Sequence, residues 1–162
     1  MRRTREIVGL PVLNLQSGGQ VGWVQDVAFV GNEVAGVVLE GGGLFHSDKG
    51  IPRSMIVAFG KDALTVSEEM VQEIKGTRWS QKIGNQVFTQ GGDAQGTIQD
   101  VFLDDSVSRI AGYEVSDGLF ADLVQGRGAI LQQNVMVDGK DVLIVEDEVS
   151  PWDHGKEGGS LS

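Results

Sequence analysis

Gly22-Trp23-Val24-Gln25-Asp26-Val27 returns later in the chain as Gly96-Thr97-Ile98-Gln99-Asp100-Val101. On either side of this stretch, Gly9-x-x-Val12 is answered by Gly84-x-x-Val87, and Val34-Ala35-Gly36 by Ile110-Ala111-Gly112. Gly43-Leu44-Phe45 is answered by Gly118-Leu119-Phe120. The closing segment Gly60-Lys61-Asp62-Ala63-Leu64-Thr65-Val66 is answered by Gly139-Lys140-Asp141-Val142-Leu143-Ile144-Val145. Two glycine-rich strings that matched by chance would not keep this order, so the chain is an internal duplication. The first copy runs from about Ile7 to Val66 and the second from about Ile83 to Val145.

Each copy reads as short strands between turns. Val12–Leu15 and Val21–Phe29 flank Gln16-Ser17-Gly18-Gly19, where glycine supplies the positive φ of a hairpin connection. Gly31-Asn32 turns the chain into Glu33–Glu40, and the run Val37-Val38-Leu39 predicts burial on both faces. Gly60-Lys61-Asp62 turns into the last strand, Ala63–Val66. The second copy repeats this with turns at Gly91-Gly92-Asp93, Asp104-Asp105-Ser106 and Asp138-Gly139-Lys140. Several short strands with alternating faces favour a small curled sheet or barrel, which removes exposed edges. Between the copies, Ser67–Lys75 carries a capping serine, acids in the first turn and Gly76 after the end, which predicts a short helix with Met70, Val71 and Ile74 as its apolar stripe.

The expected organisation is a mainly β protein. A first domain covers residues 5–66, a helical linker 67–80, a second domain 81–146, and a flexible, disordered acidic tail 147–162. Within that tail Trp152 is a candidate binding anchor. Trp23 and Trp79 read as residues packing between the copies.

Composition narrows the function classes. The 162 residues carry 13 basic against 23 acidic side chains, a formal net charge of −10. A surface of that sign repels phosphate backbones, so direct nucleic-acid binding is disfavoured and basic proteins or cations are attracted. Cysteine is absent, which removes disulfides, thiolate chemistry and zinc–cysteine sites. The basic start, Met1–Glu6, leads into Ile7–Leu15, which Gly9, Pro11 and Asn14 interrupt. It predicts neither a signal segment nor a membrane span, and the cytoplasm is the expected compartment.

With these residues quoted, the chain resembles the PRC-barrel family. That family is named from the cytoplasmic domain of the photosynthetic reaction-centre H subunit, and it also forms the C-terminal domain of a 30S ribosome maturation factor. The resemblance rests on the paired Gly-x-x-Val openings, the Gly-x-Val/Ile-x-Asp-Val strand starts, Ile51-Pro52 before Val57, and the closing Gly-x-Asp-x-Leu-x-Val segments. The second copy adds Gly112-Tyr113-Glu114-Val115-Ser116-Asp117-Gly118 and Asp122-Leu123-Val124-Gln125-Gly126-Arg127, which look like a bacterial two-barrel subgroup labelled reaction-centre-H-like. The resemblance implies two six-stranded barrels in tandem and a role in assembly or protein contact. It carries over no catalytic residues, because the family shares none, and it implies no photosynthesis, since nothing here reads as the helix that anchors a true H subunit.

Sharper chemical readings fare less well on the residues. His46 and Asp48 lie close in sequence, but Ala121 and Leu123 stand near those places in the second copy, and no zinc spacing is completed. Asp104-Asp105 and Asp138-x-x-Asp141 lack a calcium loop of the known type, and aspartate at turns commonly bonds its own backbone. Asp26 and Asp100 suggest two carboxylates across a pseudo-twofold axis, yet their identical contexts argue for one structural task done twice. No Gly-x-Ser-x-Gly turn is present, and the glycine clusters lack the lysine and helix of a phosphate cradle. The expectation is therefore no catalytic residue, no metal and no cofactor.

The mid-unit connections Gly42–Ile51 and Gly118–Gly128 occupy corresponding places but differ in chemistry, and duplicated scaffolds diverge where they bind. The expected partner-binding residues are Leu44, Phe45, His46, Leu119, Phe120, Leu123, Val124 and Arg127. The expected partner is a protein, with a second copy of the chain among the candidates. Two other readings stand beside the adaptor. One is a small-ligand or cation sensor using the cleft between the copies; the other is an accessory factor in ribosome or RNA maturation that touches a basic protein.

Overall fold

Both copies of the quoted stretch lie in a long strand that pairs on either side, and each copy builds the same sheet around it. The computed structural model describes residues 1–40, 48–116 and 128–147. The chain divides into two units. The first comprises Met1–Ser80 with Leu103–Ile110, and the second Gln81–Phe102 with the residues from Ala111 on.

In the first unit the strands are β1 (Arg2–Arg3), β2 (Pro11–Asn14), β3 (Gln20–Val30), β4 (Glu33–Leu39), β5 (Lys49–Pro52), β6 (Ile56–Phe59), β7 (Leu64–Val66), β8 (Gln72–Glu73) and β9 (Thr77–Arg78). The sheet order is β6-β7-β2-β3-β4-β5-β8, with β9 also on β3. The second unit contributes β10 (Gln86–Thr89), β11 (Ala94–Leu103), β12 (Ile110–Ser116), β13 (Gly128–Leu131), β14 (Val135–Asp138) and β15 (Val142–Val145). Its order, β14-β15-β10-β11-β12-β13, reproduces the six-strand path of the first.

The duplication holds to the level of register. The opening strand lies parallel to the closing one in both units, pairing Val12 with Leu64 and Val87 with Leu143. All four side chains are buried. Gly9 donates its N–H to Val24 O at 2.8 Å, and Gly84 does the same to Ile98 O at 2.8 Å. Both glycines hold positive φ, 96° and 89°, where a β-carbon would strain the backbone. The Ala-Gly match is a packing requirement. A β-carbon on Gly36 would strike the carbonyl of Ile51, and one on Gly112 the carbonyl of Ile130, each on the neighbouring strand. The buried run Val37-Val38-Leu39 agrees with the sequence reading.

The helix expected over Ser67–Lys75, as part of a helical linker at 67–80, is a correction. The segment is extended and includes β8, while the one α-helical turn among the described residues is α1 (Trp79–Lys82). Of the proposed stripe only Ile74 is buried, against Ala28 and Val38, while Met70 and Val71 stay exposed. A helix of nine residues is marginal without a packed face. Strand pairing wins here: Ile74 N–H donates to Asp48 O at 2.8 Å. Trp23 is 51% exposed. The expected tail lies outside the described residues from 148 on.

Candidate functional site

The partner-binding residues named from sequence, Leu44, Phe45, His46, Leu119, Phe120, Leu123, Val124 and Arg127, all lie outside the described residues. Their frame is described. One connection leaves β4 after Leu39 and returns at β5, and the other leaves β12 after Ser116 and returns at β13. The two strand pairs are antiparallel and equivalent, with Val37 opposite Ile51 and Tyr113 opposite Ile130.

Asp26 and Asp100 do share one structural task. Asp26 Oδ1 accepts Val27 N–H at 2.9 Å, and Asp100 Oδ1 accepts Val101 N–H at 2.8 Å. Asp26 goes further, accepting the Ser80 N–H at 3.1 Å and the Ser80 hydroxyl, which fastens the first turn of α1. Both oxygens of Asp26 and the Oδ1 of Asp100 are thus engaged by the backbone and side chains around them. Asp104 likewise accepts Ser108 N–H at 2.8 Å and Arg109 N–H at 3.2 Å, bonding its own turn. Asp48 forms an exposed ion pair with Arg78 at 3.2 Å, a contact of small energetic weight.

In the first unit Arg53 clamps a turn that sequence reading passed over. Its Nε donates to Val107 O at 2.9 Å and its Nη2 to Ser106 O at 2.7 Å. Val107 is buried at φ 54°, an uncommon setting for a β-branched residue. The guanidinium fork suits two adjacent carbonyls, and Gln132 stands at the equivalent place in the second unit.

The second unit holds a polar trio that sequence reading also missed. Lys82 Nζ pairs with Asp138 Oδ2 at 2.6 Å, and Tyr113 donates its hydroxyl to the same oxygen at 2.5 Å. The ammonium lies 5.8 Å from the centre of the Tyr113 ring. Lys82 is 4% exposed and Tyr113 fully buried. The matched registers place Ile7, Val37 and Phe59 at these positions in the first unit, so three apolar side chains have become one ion pair and its hydrogen-bonding phenol. The ammonium and the phenol are buried, whereas Asp138 lies at an exposed position and meets them from the side open to water.

Burial, reinforced by the Asp138 carboxylate, pushes the Tyr113 phenol far above its ordinary value. The neutral form is therefore favoured in the fold. Above the unfolded value of about 10 the unfolded chain holds fewer protons than the folded one, so stability falls as pH rises there, by about 1.4 kcal/mol per pH unit from this group. Below that pH the group contributes no pH dependence. Tyr113 is the sole tyrosine, so tyrosinate absorbance during alkaline titration should appear only as circular dichroism reports unfolding. Ionisation near pH 10 in a still-folded chain would contradict the burial.

A family model described as the PRC-barrel domain matches twice, over residues 1–69 and 76–150. The chain belongs to the PRC-barrel family. A curated relative from Bacillus subtilis (strain 168), described only as the uncharacterized protein YrrD, is 25% identical over 152 residues, covering 90% of this chain and 87% of its own length. The first match covers most of the first unit, and the second covers most of the second unit together with Leu103–Ile110 of the first.

Each PRC unit ends its sheet on one side with an outer strand, β6 or β14, carrying exposed apolar residues at equivalent positions. Val57 is 58% exposed, and Met136, its counterpart, 47%; Val137 beside it is 50% exposed. Among the described residues no group of three His, Asp or Glu side chains is arranged to hold a metal ion. No described helix is long and apolar enough to cross a membrane.

Proposed function

We propose that this PRC-barrel pair is a non-catalytic adaptor that holds a protein partner during assembly. The observation that carries the reading is the repetition of exposed apolar side chains on the outer strands: Val57 in one unit, Met136 and Val137 in the other. The engagement of Asp26, Asp100 and Asp138 by the fold supports it as well. With a net charge of −10, the fitting partner offers an apolar patch bordered by basic residues, and its association is steered by charge. The diverged connections at 42–51 and 118–128 add selectivity.

The test is affinity capture with the full chain on a support, using lysate of its own source. One protein should be retained stoichiometrically, released by excess free chain, held less at higher salt, and reduced at least ten-fold by joint Val57→Asp and Met136→Asp substitution. Failure to retain such a protein, with calcium or a metabolite raising the unfolding midpoint instead, would overturn the adaptor in favour of a sensor. A ligand at 100 times its dissociation constant stabilises by about 2.7 kcal/mol.

A further inference from the structure

Trp23 lies inside the repeated stretch, yet it is exposed and its counterpart in the second copy is Thr97. On β3 it stands opposite Pro11 of β2. On its other side its carbonyl accepts the Glu40 N–H at 2.9 Å, one step beyond the Val24–Leu39 pair of β3 and β4. Val12, Val24 and Leu39 are buried. Alternation along each strand therefore turns Pro11, Trp23 and Glu40 outward, in one row across three neighbouring segments. Side chains directly opposite in such a row have β-carbons about 5 Å apart.

The same row in the second unit is Gln86, Thr97 and Ser116. There Thr97 Oγ1 and Ser116 Oγ share a hydrogen bond of 3.2 Å, and Gln99 Nε2 donates to Thr97 Oγ1 at 3.0 Å. That row satisfies itself. In the first unit an exposed indole and an exposed carboxylate stand where the two hydroxyls meet. Among the described residues the Glu40 side chain has neither an ion pair nor a hydrogen bond. The frame is shared, so the exchange of two small polar residues for Trp23 and Glu40 alters only what the outer face presents.

An aromatic face beside a carboxylate suits a cationic side chain, because the ring quadrupole and the negative charge attract the same group. Arginine fits this row better than lysine. Its planar head stacks on an indole while its N–H groups reach a carboxylate. The net charge of −10 draws basic partners towards the surface. Glu40 also stands at the root of the diverged connection at 42–51.

We infer that Trp23 and Glu40 form a platform for an arginine side chain of the partner protein, with Pro11 as its apolar border. The platform rests on the adaptor reading and gives that partner's basic residues a defined anchor.

The test titrates the full chain with N-acetyl-arginine amide and follows the indole N–H signals by nuclear magnetic resonance. The Trp23 signal should move saturably while the Trp79 signal stays in place. The neutral isostere N-acetyl-citrulline amide should move neither. Glu40→Gln should weaken arginine binding about three-fold, the worth of an exposed ion pair, and Glu40→Lys should abolish it. Trp23→Thr, which installs the residue of the second unit, should abolish binding as read from the Glu40 amide. A Trp23 signal that ignores arginine, or that moves as far with citrulline, overturns the inference. So does an unchanged affinity in Glu40→Gln. The comparison of arginine with citrulline uses the unsubstituted chain and decides the matter even where a variant fails to fold. A protein partner captured in undiminished amount by Trp23→Thr overturns the platform and leaves the adaptor standing. Arginine-selective binding by a chain that retains no protein supports the platform and removes the adaptor.

Discussion

Asp138→Ala should destabilise the second unit by about 1–3 kcal/mol, the cost of taking away the carboxylate that the buried Lys82 ammonium and the Tyr113 hydroxyl both bond. Lys82 has almost no access to water, and Tyr113 loses the acceptor of its hydroxyl in the same change. The loss comes from stranded partners, because a buried pair by itself is weak evidence of net stabilisation. Joint replacement of Lys82 by Met, Tyr113 by Phe and Asp138 by Leu should therefore cost far less than Asp138→Ala alone, since the first unit already builds these positions from Ile7, Val37 and Phe59. Denaturant unfolding of the three single variants and the triple variant measures the non-additivity. Equal losses in Asp138→Ala and in the triple variant would contradict the stranded-charge explanation.

Leu64→Ala and Leu143→Ala should each cost about 2–5 kcal/mol, through lost apolar transfer and the cavity left behind. Both leucines are buried and lie opposite the opening valine of their unit, Val12 and Val87, in the parallel pairing of opening and closing strands. Because the surroundings are equivalent, each change should unfold its own unit first, seen as loss of slow amide exchange on β2 or on β10 respectively. If either substitution costs less than about 1 kcal/mol, the leucine does not sit in a packed core.

Much of this fold was legible in the sequence because the duplication repeats its backbone requirements. Gly9 and Gly84 repeat because their backbone has positive φ, and Gly36 and Gly112 because a neighbouring strand passes too close for a β-carbon. The Asp26 and Asp100 match likewise reported a shared backbone bond. The segment Ser67–Lys75 was misread because capping residues and spacing describe local preference, whereas its conformation is decided by the distant edge of β5. The polar trio escaped notice for the opposite reason. Aligning the copies by what they share hides the places where they differ, and Lys82 for Ile7, Tyr113 for Val37 and Asp138 for Phe59 are such places. Read together, those three exchanges would have pointed to a contact that no single position announces. The clamp by Arg53 could not be found this way, since it grips carbonyls, which carry no side-chain signal.

The repeated residues build two equivalent barrels, and the proposed partner contact rests on what each barrel presents outside that shared frame. The most direct measurement is the hydrogen-exchange footprint of the captured protein partner on the full chain. The account predicts slowed exchange over 42–51 and 118–128 and along the outer strands β6 and β14, with β10 and β11 unchanged. A footprint centred on Lys82, Tyr113 and Asp138, or no protein footprint beside a saturable small-molecule one, would contradict it.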